Sequence, residues 1–304
     1  MSITVGAEPV GSIRQRFQSL SAGKREDVRA RHKPLLVLWT LGYYARGGSR
    51  LVPYREIDAG LRRLLLNFGP ASAQRRPHPE YPFWYLKNDG IWEARAEGAR
   101  PRAGKTGQPP CSELLRVGAV GGLLPDVYEA LRLQPELQRQ IIDDLLRAHF
   151  PDTAHEDLLQ AVGLELSGAL AAKAPRNPAF RENVLCAYGY RCAICGFSMR
   201  LGDVLVGVEA AHIKWHQAGG PCDVKNGLAL CSLHHKLFDR GAFTISHRGY
   251  IEVAKRVNGE TASTLTKLHG TPLRRPRDPL DVPHGVYIDW HRDQVFQKPA
   301  VRRS

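Results

Sequence analysis

The sequence predicts an α+β protein with two domains. These are a mixed helical N-terminal domain with a small hairpin and a small C-terminal domain that a bound metal ion holds together. The chain has 304 residues of which 43% are hydrophobic, enough for two ordinary cores. Helical patterns dominate its first half, whereas its second half holds two short knuckles, Cys192-x-x-Cys195 and Cys231-x-x-His234. We expect domains at 1–165 and 176–304, joined by a small-residue-rich linker at 166–175.

The elements of the first domain follow from local signals. Pro34 suits the first turn of a helix that ends before the glycine pair at 47–48, and a second amphipathic helix is expected at about 54–67. The turn signal Lys87-Asn88-Asp89-Gly90 between aromatic-rich arms predicts a hairpin at 83–93. Proline or aspartate residues that open helices predict three more, at about 125–133, 135–150 and 152–162.

The second domain is expected to open with a helix at about 178–188 that places Cys186 in the core. A β-branched run at 204–209 predicts a strand leading to His212. Ser232 is positioned to cap a short helix that runs to about residue 240. Strands are predicted at 242–246 and 250–254.

The charge is distributed in three blocks. The net charge of the chain is +13. Residues 1–110 carry 19 basic and 9 acidic side chains, residues 111–175 carry 5 and 10, and residues 176–304 carry 19 and 11. Two basic blocks around an acidic one are typical of two domains that contact a polyanion, joined by a segment that does not.

The two knuckles predict a structural zinc site. Zn²⁺ takes four soft or borderline ligands in a tetrahedron, and ligand pairs two residues apart are the usual way in which a chain supplies them. We expect the ligands to be Cys192, Cys195, Cys231 and His234.

Other polar residues around the knuckles can support phosphodiester hydrolysis. This reaction needs a base to activate water and a divalent cation, here Mg²⁺ or Mn²⁺, to stabilise charge in the transition state. His212 at a strand end is the candidate base, because an imidazole titrates near neutral pH. His235 and Asp239 are four apart on a predicted helix, so both project from one face and can hold the cation.

This region resembles the HNH endonucleases, the ββα-metal family. The motifs that carry the resemblance are Cys-Ala-Ile-Cys-Gly (192–196), Val-Glu-Ala-Ala-His-Ile (208–213), Asn-Gly-Leu-Ala-Leu-Cys (226–231) and Ser-Leu-His-His-Lys-Leu-Phe-Asp-Arg-Gly (232–241). The resemblance implies that Asn226 braces the loop that carries the base. Many family members place a metal ligand immediately before the base, but Ala211 occupies that position here, and Glu209 is a possible substitute.

The first domain is similar to the sulfur-binding domain of McrA-like, modification-dependent bacterial restriction enzymes, which recognises phosphorothioate DNA. The similar stretches are Arg31-His32-Lys33-Pro34-Leu35-Leu36, His78-Pro79-Glu80-Tyr81-Pro82-Phe83-Trp84 and Asn88-Asp89-Gly90-Ile91-Trp92. The resemblance implies a sulfur pocket at Tyr81, Pro82 and Tyr85, with His32 and Lys33 beside it. We expect these two residues to be cations that offset the charge of the DNA backbone. Arg100 and Arg102, in a basic loop, are further candidates for contact with the DNA backbone.

Together these features predict a type IV restriction endonuclease that acts on double-stranded DNA in the bacterial cytoplasm. No apolar stretch approaches the ~20 residues of a membrane span, and no signal peptide is recognised. A homodimer is expected, because one HNH centre cuts one strand. Two alternatives stay open: an HNH endonuclease whose N-terminal domain binds methylated or unmodified DNA, and a DNA-binding protein with a degenerate, non-catalytic HNH fold.

Overall fold

A computed structural model of the chain describes residues 10–20, 31–96, 101–104, 107–164 and 178–302. The contacts divide the chain into two compact units, Met1–Phe150 with His155–Leu170, and Pro151–Ala154 with Ala171–Ser304. The predicted linker lies outside the described residues. Helices and short sheets occur in both units, which confirms the α+β class. None of the described helices has the length and apolar character needed to cross a membrane.

The N-terminal unit consists mainly of helices that share one core. Its most deeply buried helix is α2 (His32–Ala45), in which every residue from Pro34 to Gly42 is buried because apolar side chains occupy all of its sides. The other helices of this part of the chain are α1 (Val10–Gln18), α3 (Tyr54–Phe68), α4 (Ala71–Arg75), α5 (Glu80–Tyr85), α6 (Cys111–Arg116), α7 (Pro125–Leu133), α8 (Pro135–His149) and α9 (Asp152–Val162).

A three-stranded antiparallel sheet completes this unit, with the strand order β1-β3-β2. Its strands are β1 (Val52–Pro53), β2 (Trp92–Ala96) and β3 (Ala119–Leu123). Strand β2 pairs with β3 from Trp92 opposite Leu123 to Ala96 opposite Ala119. The sequence did not predict β3, which contains two adjacent glycines.

The hairpin predicted at residues 83–93 is wrong. Its first arm is helix α5, followed by a 3-10 turn at Leu86–Asp89. Pro82 lies in the first turn of α5, where its missing N–H costs no hydrogen bond. Phe83 and Leu86 are three residues apart and are both fully buried, which suits a helical period better than an alternating one. Gly90 then takes a left-handed conformation (φ 68°) that ends the turn.

The C-terminal unit is built around two strands and a helix that follow one another in the fold, β6 (Val208–His212), β7 (Gly227–Cys231) and α11 (Ser232–Asp239). Strands β6 and β7 pair antiparallel from Val208 opposite Cys231 to His212 opposite Gly227. This is the ββα arrangement that the sequence predicted. Helix α10 (Pro178–Ala187) packs on both strands, and a Cβ at Gly227 would lie 2.3 Å from Val184, so only glycine permits this approach.

The remaining elements of this unit are β4 (Met199–Leu201), β5 (Val204–Val206), β8 (Phe243–Ile245), β9 (Ile251–Val253), α12 (Ala262–Thr266) and α13 (Gly285–Gln294). Strands β4 and β5 form one two-stranded sheet, and β8 and β9 form another.

Three local predictions for this unit are wrong. The strand expected at 204–209 is broken at Gly207, whose φ of 72° interrupts the extended backbone. Cys186 is exposed, because the core side of α10 is formed by Phe180 and Val184 instead. Ser232 is the first helical residue and caps nothing; its hydroxyl donates to Glu209 Oε1 over 3.3 Å.

Candidate nuclease and DNA-binding sites

The four predicted zinc ligands lie together. Their ligand atoms, the sulfurs of Cys192, Cys195 and Cys231 and a ring nitrogen of His234, are all within 4.8 Å of one another. His234 Nδ1 lies 3.1 Å from the Cys231 sulfur and 3.6 Å from the Cys192 sulfur. Three thiols and one imidazole around one point form the donor set of a closed, structural zinc site.

The three thiols differ in acidity. Burial raises the pKa of Cys192, but hydrogen bonds from His234 and from backbone N–H groups outweigh it and lower that pKa to about 6. Burial raises the pKa of Cys195 and brings that of Cys231 to about 12, and the charge of Cys192 adds to both shifts. A divalent cation would remove this conflict, because it stabilises all three thiolates together.

His212 is the last residue of β6, where the chain leaves the two-stranded sheet. Its ring stacks on Phe180 of α10, with 4.0 Å between the ring centroids and 19° between the planes. Its Nε2 lies 3.7 Å from the sulfur of Cys222. A partly exposed imidazole held by an aromatic ring at a strand end has a defined orientation, which a general base requires.

Asn226 joins the two ends of the loop that follows His212. Its side chain is fully buried. Its Oδ1 accepts from the backbone N–H of Lys214 at 2.8 Å, and its Nδ2 donates to the carbonyls of Lys214 at 3.0 Å and Pro221 at 2.9 Å. The backbone carbonyl of Asn226 also accepts from Ile213 N–H at 2.8 Å, so this one residue holds the segment directly after His212.

His235 lies between two carboxylates. Its Nδ1 is 2.6 Å from Glu209 Oε2, and its Nε2 is 3.3 Å from Asp239 Oδ2. An imidazole and two carboxylates are suitable ligands for a hard divalent cation. Because the two carboxylates contact opposite nitrogens of the ring, the three groups do not converge on one point in this conformation. Ala211, at the position where many HNH proteins have a ligand, is fully buried.

Hydrogen bonds fix the carboxylate of Asp239 more firmly than that of an exposed metal ligand. It is buried, its Oδ1 accepts from Trp215 Nε1 at 3.1 Å, and its Oδ2 accepts from Thr153, one of the residues grouped with this unit. Burial raises the pKa of its carboxyl group, while the nearby His235 acts in the opposite direction. A carboxylate with these contacts is able to orient His235 as well as to bind a cation.

Three contacts of this site were not anticipated from the sequence: Phe180 with His212, Cys222 with His212, and Trp215 with Asp239. Each joins residues that lie on different elements. No spacing rule connects the members of these pairs. The signals that the sequence offers are an aromatic residue in the predicted helix at 178–188 and a tryptophan after His212, both suited to pack around the site.

In the N-terminal unit the predicted sulfur pocket includes two exposed aromatic rings. Tyr81 is 38% exposed and stacks on His78 with 4.9 Å between the ring centroids, whereas Pro82 is buried beneath the surface. Tyr85 is 36% exposed, and its hydroxyl donates to Gln108 Oε1 at 3.0 Å. Tyr81 and Tyr85, four residues apart on α5, therefore project from neighbouring positions of one helix.

Two of the cations predicted beside this pocket differ from the expectation. Burial, together with the positive charge of Arg31, lowers the pKa of His32 to about 4, so its imidazole is neutral at pH 7. The ammonium of Lys33 forms an ion pair of 2.6 Å with Asp89, whose side chain is 3% exposed. This ion pair offsets much of the positive charge that Lys33 would present to a phosphate, and both side chains are largely withdrawn from solvent.

The basic loop is only partly described. Arg102 is exposed, and its backbone N–H donates to Glu113 Oε1 at 3.0 Å. This hydrogen bond anchors the loop to α6. Arg100 lies outside the described residues.

Two known families match the chain, one over its N-terminal half and one over a shorter part of its C-terminal half. The family described as "ScoMcrA-like, DNA sulfur-binding domain" matches residues 10–167, and the family "HNH endonuclease" matches residues 192–246. No curated protein matches the chain.

Three solved structures illustrate the similarity. The sulfur-binding domain of ScoMcrA complexed with phosphorothioated DNA is 25% identical (TM-score 0.43), over 50% of this chain and 94% of that chain. The corresponding complex of SprMcrA is 23% identical (TM-score 0.43), over 52% and 95%. The type IV phosphorothioation-dependent restriction endonuclease ScoMcrA is 24% identical (TM-score 0.43) over 50% of this chain, which matches only 27% of that chain.

Proposed function

Since the chain belongs to the ScoMcrA-like DNA sulfur-binding domain family and its HNH endonuclease domain makes it a DNA nuclease, we propose that it binds phosphorothioate-modified duplex DNA and hydrolyses phosphodiester bonds nearby. In this proposal residues 1–165 recognise the modification, residues 166–175 form a linker, and residues 176–304 cut. The observation that supports it most directly is the presence of both family matches in one chain, beside a strand-end histidine whose loop is held by a buried asparagine.

His212 is the general base of the proposed reaction. It takes a proton from the water that attacks the phosphorus, and the stack on Phe180 keeps its ring in one orientation. Asn226 acts through His212, because its three side-chain hydrogen bonds fix the loop that begins directly after the base.

His235 and Asp239 are the proposed holders of the catalytic cation, with Glu209 as a third group at the other ring nitrogen of His235. A divalent cation such as Mg²⁺ or Mn²⁺, when bound there, would supply stabilisation of the charge that develops on the phosphate and on the leaving 3′-oxygen. Glu209 contacts the ring nitrogen of His235 that faces away from Asp239, so in this conformation it orients His235. It would have to turn towards the cation to act in place of a ligand at Ala211. Cys192, Cys195, Cys231 and His234 take no part in the chemistry; as zinc ligands they connect the start of the domain to α11 and so hold the ββα unit together.

The preference for sulfur rests on desolvation. A phosphorothioate replaces one non-bridging oxygen by a larger and more weakly hydrated sulfur. Covering this sulfur with an apolar surface therefore costs less hydration free energy than covering an oxygen would. The exposed ring of Tyr81 beside Pro82 supplies such a surface. A neutral His32 suits this role, because the imidazole beside the pocket then adds a polar contact without the hydration of a charge.

The test compares one duplex with and without a single site-specific phosphorothioate. We expect tighter binding of the modified duplex by the His212→Ala chain, and cleavage of the modified duplex by the unaltered chain in Mg²⁺ or Mn²⁺. Raising the salt concentration should weaken binding of both duplexes, because Lys and Arg contacts release counterions, but should leave the ratio of the two affinities nearly constant.

Tyr81→Ala should remove most of this ratio while keeping most of the affinity for the ordinary duplex. Tyr250→Ala is the matched control, since Tyr250 lies in the C-terminal unit and is 40% exposed against 38% for Tyr81. Equal affinity for both duplexes at every salt concentration would reject the sulfur-binding proposal and favour a domain that binds unmodified or methylated DNA. Absence of cleavage in either metal, by protein that still binds DNA, would favour the non-catalytic alternative.

The ligand assignments can be tested separately by titrating Mn²⁺ in the cleavage assay. Asp239→Asn and Glu209→Gln should each raise the Mn²⁺ concentration needed for half-maximal rate if both carboxylates contribute. A rise for only one variant assigns the cation to that carboxylate and makes the other a group that orients His235. A homodimer remains part of the proposal, because a break in both strands requires two HNH centres or two successive visits.

A further inference from the structure

The hairpin of β4 and β5 carries an apolar face that is open to solvent. Met199 is 55% exposed, Leu201 79%, Val204 67% and Val206 42%. The register pairs Met199 with Val206 and Leu201 with Val204, so these four side chains lie on the same face of the hairpin. We call this set of four residues the hairpin face.

The direction of the hairpin face follows from the alternation of the strand. Leu205, between Val204 and Val206, packs against the core of the C-terminal unit. Its two neighbours therefore point away from that core. Among the described residues no third strand pairs with β4 or β5, and an isolated two-stranded hairpin with an uncovered apolar face gains little stability in water.

The charges of the hairpin itself do not favour nucleic acid as its partner. The hairpin between residues 197 and 207 has one basic residue, Arg200, and one acidic residue, Asp203, so its net charge is zero. Surfaces that bind DNA are strongly basic, and the rest of this chain, with a net charge of +13, offers such surfaces elsewhere. The same positive charge makes two copies of the chain repel one another, so a contact between copies must lie where charges are few.

We propose that the hairpin face binds the hairpin face of a second copy of this chain, around a two-fold axis. An apolar surface is complementary to itself, as a two-fold contact requires. Four large side chains with these exposed fractions form a patch of roughly a few hundred Å². A contact between two such patches, with the surrounding atoms included, would bury a total area that approaches the ~1,000 Å² at which specific interfaces begin. The contact is therefore a weak and reversible one.

The role of this dimer rests on the proposed nuclease function, because a pair of HNH centres can cut both strands of one duplex. The hairpin follows directly from the first zinc knuckle, and the backbone N–H of Cys192 donates to the carbonyl of Phe197 at its base. The backbone N–H of Ser232, which begins α11, likewise donates to the carbonyl of Gly207 at its other end. A contact at this hairpin is thus connected through the backbone to the helix that carries His235.

The experiment measures self-association of the full chain without DNA by sedimentation velocity over a range of concentrations. We expect a dimer with a dissociation constant on the order of 10 μM, as for small transient interfaces. Leu201→Glu should weaken it by at least about tenfold, because the symmetric contact would bury two new carboxylates. Leu133→Glu is the matched control, since Leu133 is 67% exposed in the N-terminal unit, and it should leave the dimer unchanged.

Raising the salt concentration to about 0.5 M should strengthen the dimer, because salt screens the repulsion between two positively charged chains. A chain that stays monomeric at both salt concentrations would overturn the proposal, as would a Leu201→Glu chain that dimerises as well as the unaltered one. A Leu201→Glu chain that is unchanged in association but binds DNA more weakly would assign the hairpin face to DNA instead.

Self-association is measured without DNA, so the dimer can be tested even if the chain does not cleave DNA. If the nuclease proposal holds, Leu201→Glu should nick supercoiled plasmid that carries phosphorothioates but convert fewer nicks to linear product than Leu133→Glu does. Equal ratios of linear to nicked product would contradict a role of the dimer in cutting both strands.

Discussion

Asn226 is the residue whose replacement tests the architecture of the proposed active site most directly. In the Asn226→Ala variant, the backbone N–H and carbonyl of Lys214 and the carbonyl of Pro221 lose their partners on a fully buried side chain. The loop that begins after His212 would keep the backbone bond from Ile213 to Asn226 and the bond from Trp215 to Asp239. We therefore expect the loop to open locally, while the ββα core remains folded.

The magnitude follows from the three lost hydrogen bonds. Each contributes about 0.5–1.5 kcal/mol net, so the loop should lose about 2–4 kcal/mol of its free energy of opening. Since 1.4 kcal/mol is a factor of ten, amide exchange of Lys214 should accelerate roughly 30- to 1,000-fold. The rate of cleavage at saturating DNA should fall, because a mobile base spends less time in the reactive position, while DNA affinity should change little.

Hydrogen exchange monitored by mass spectrometry over residues 213–226 measures this effect in the intact chain. Asn258→Ala is the matched control, since Asn258 is exposed and makes one hydrogen bond to the Arg256 carbonyl, and its replacement should change stability by less than about 0.5 kcal/mol. Gly220→Ala approaches the same loop from the other side, because its Cβ would lie 1.9 Å from the Lys214 carbonyl oxygen. Unchanged exchange of Lys214 in Asn226→Ala, with full cleavage activity, would refute the argument that this side chain positions the base.

Three further predictions address the base, the zinc site and the effect of pH. His212→Ala should lower the cleavage rate by about 10²–10⁴ with DNA affinity nearly intact, measured by single-turnover cleavage and by equilibrium binding; a comparable rate would remove His212 from the role. Cys192→Ser should yield protein without tightly bound zinc and with an unfolded C-terminal unit, measured by metal analysis and by circular dichroism; a well-folded, zinc-free variant would contradict a structural site. Burial lowers the pKa of His291 from 6.5 to about 3, so the unfolded state binds a proton more readily, and stability should be constant above pH 6.5 and fall as the pH decreases towards 3. Urea unfolding at pH 7.5 and pH 5 checks this, and His291→Gln should reduce the difference between the two pH values.

The sequence by itself determined those parts of the protein that depend on neighbours close along the chain. The ligands of each knuckle are three positions or fewer apart, so their spacing was sufficient to predict the pairs, and the motif order was sufficient to predict that the two pairs meet. Helices α7, α8 and α9 begin where a proline or an aspartate opens them, as expected from a rule that acts within one turn. The ββα order was implied by the resemblance of the motifs at 192–241 to the HNH endonucleases, and the structure has this order.

Only the tertiary structure decided the contacts between distant segments. The turn signal at Lys87–Gly90 is local, yet β2 pairs with β3 more than twenty residues later, because burial of Phe83 and Leu86 on a helical face outweighs the tendency to form a hairpin. Glu209 meets His235 because β6 and α11 pack together, which no spacing predicts across 26 residues. The charge state of His32 likewise depends on burial by residues elsewhere in the chain: its position beside Lys33 suggested a cation, but desolvation keeps the imidazole neutral.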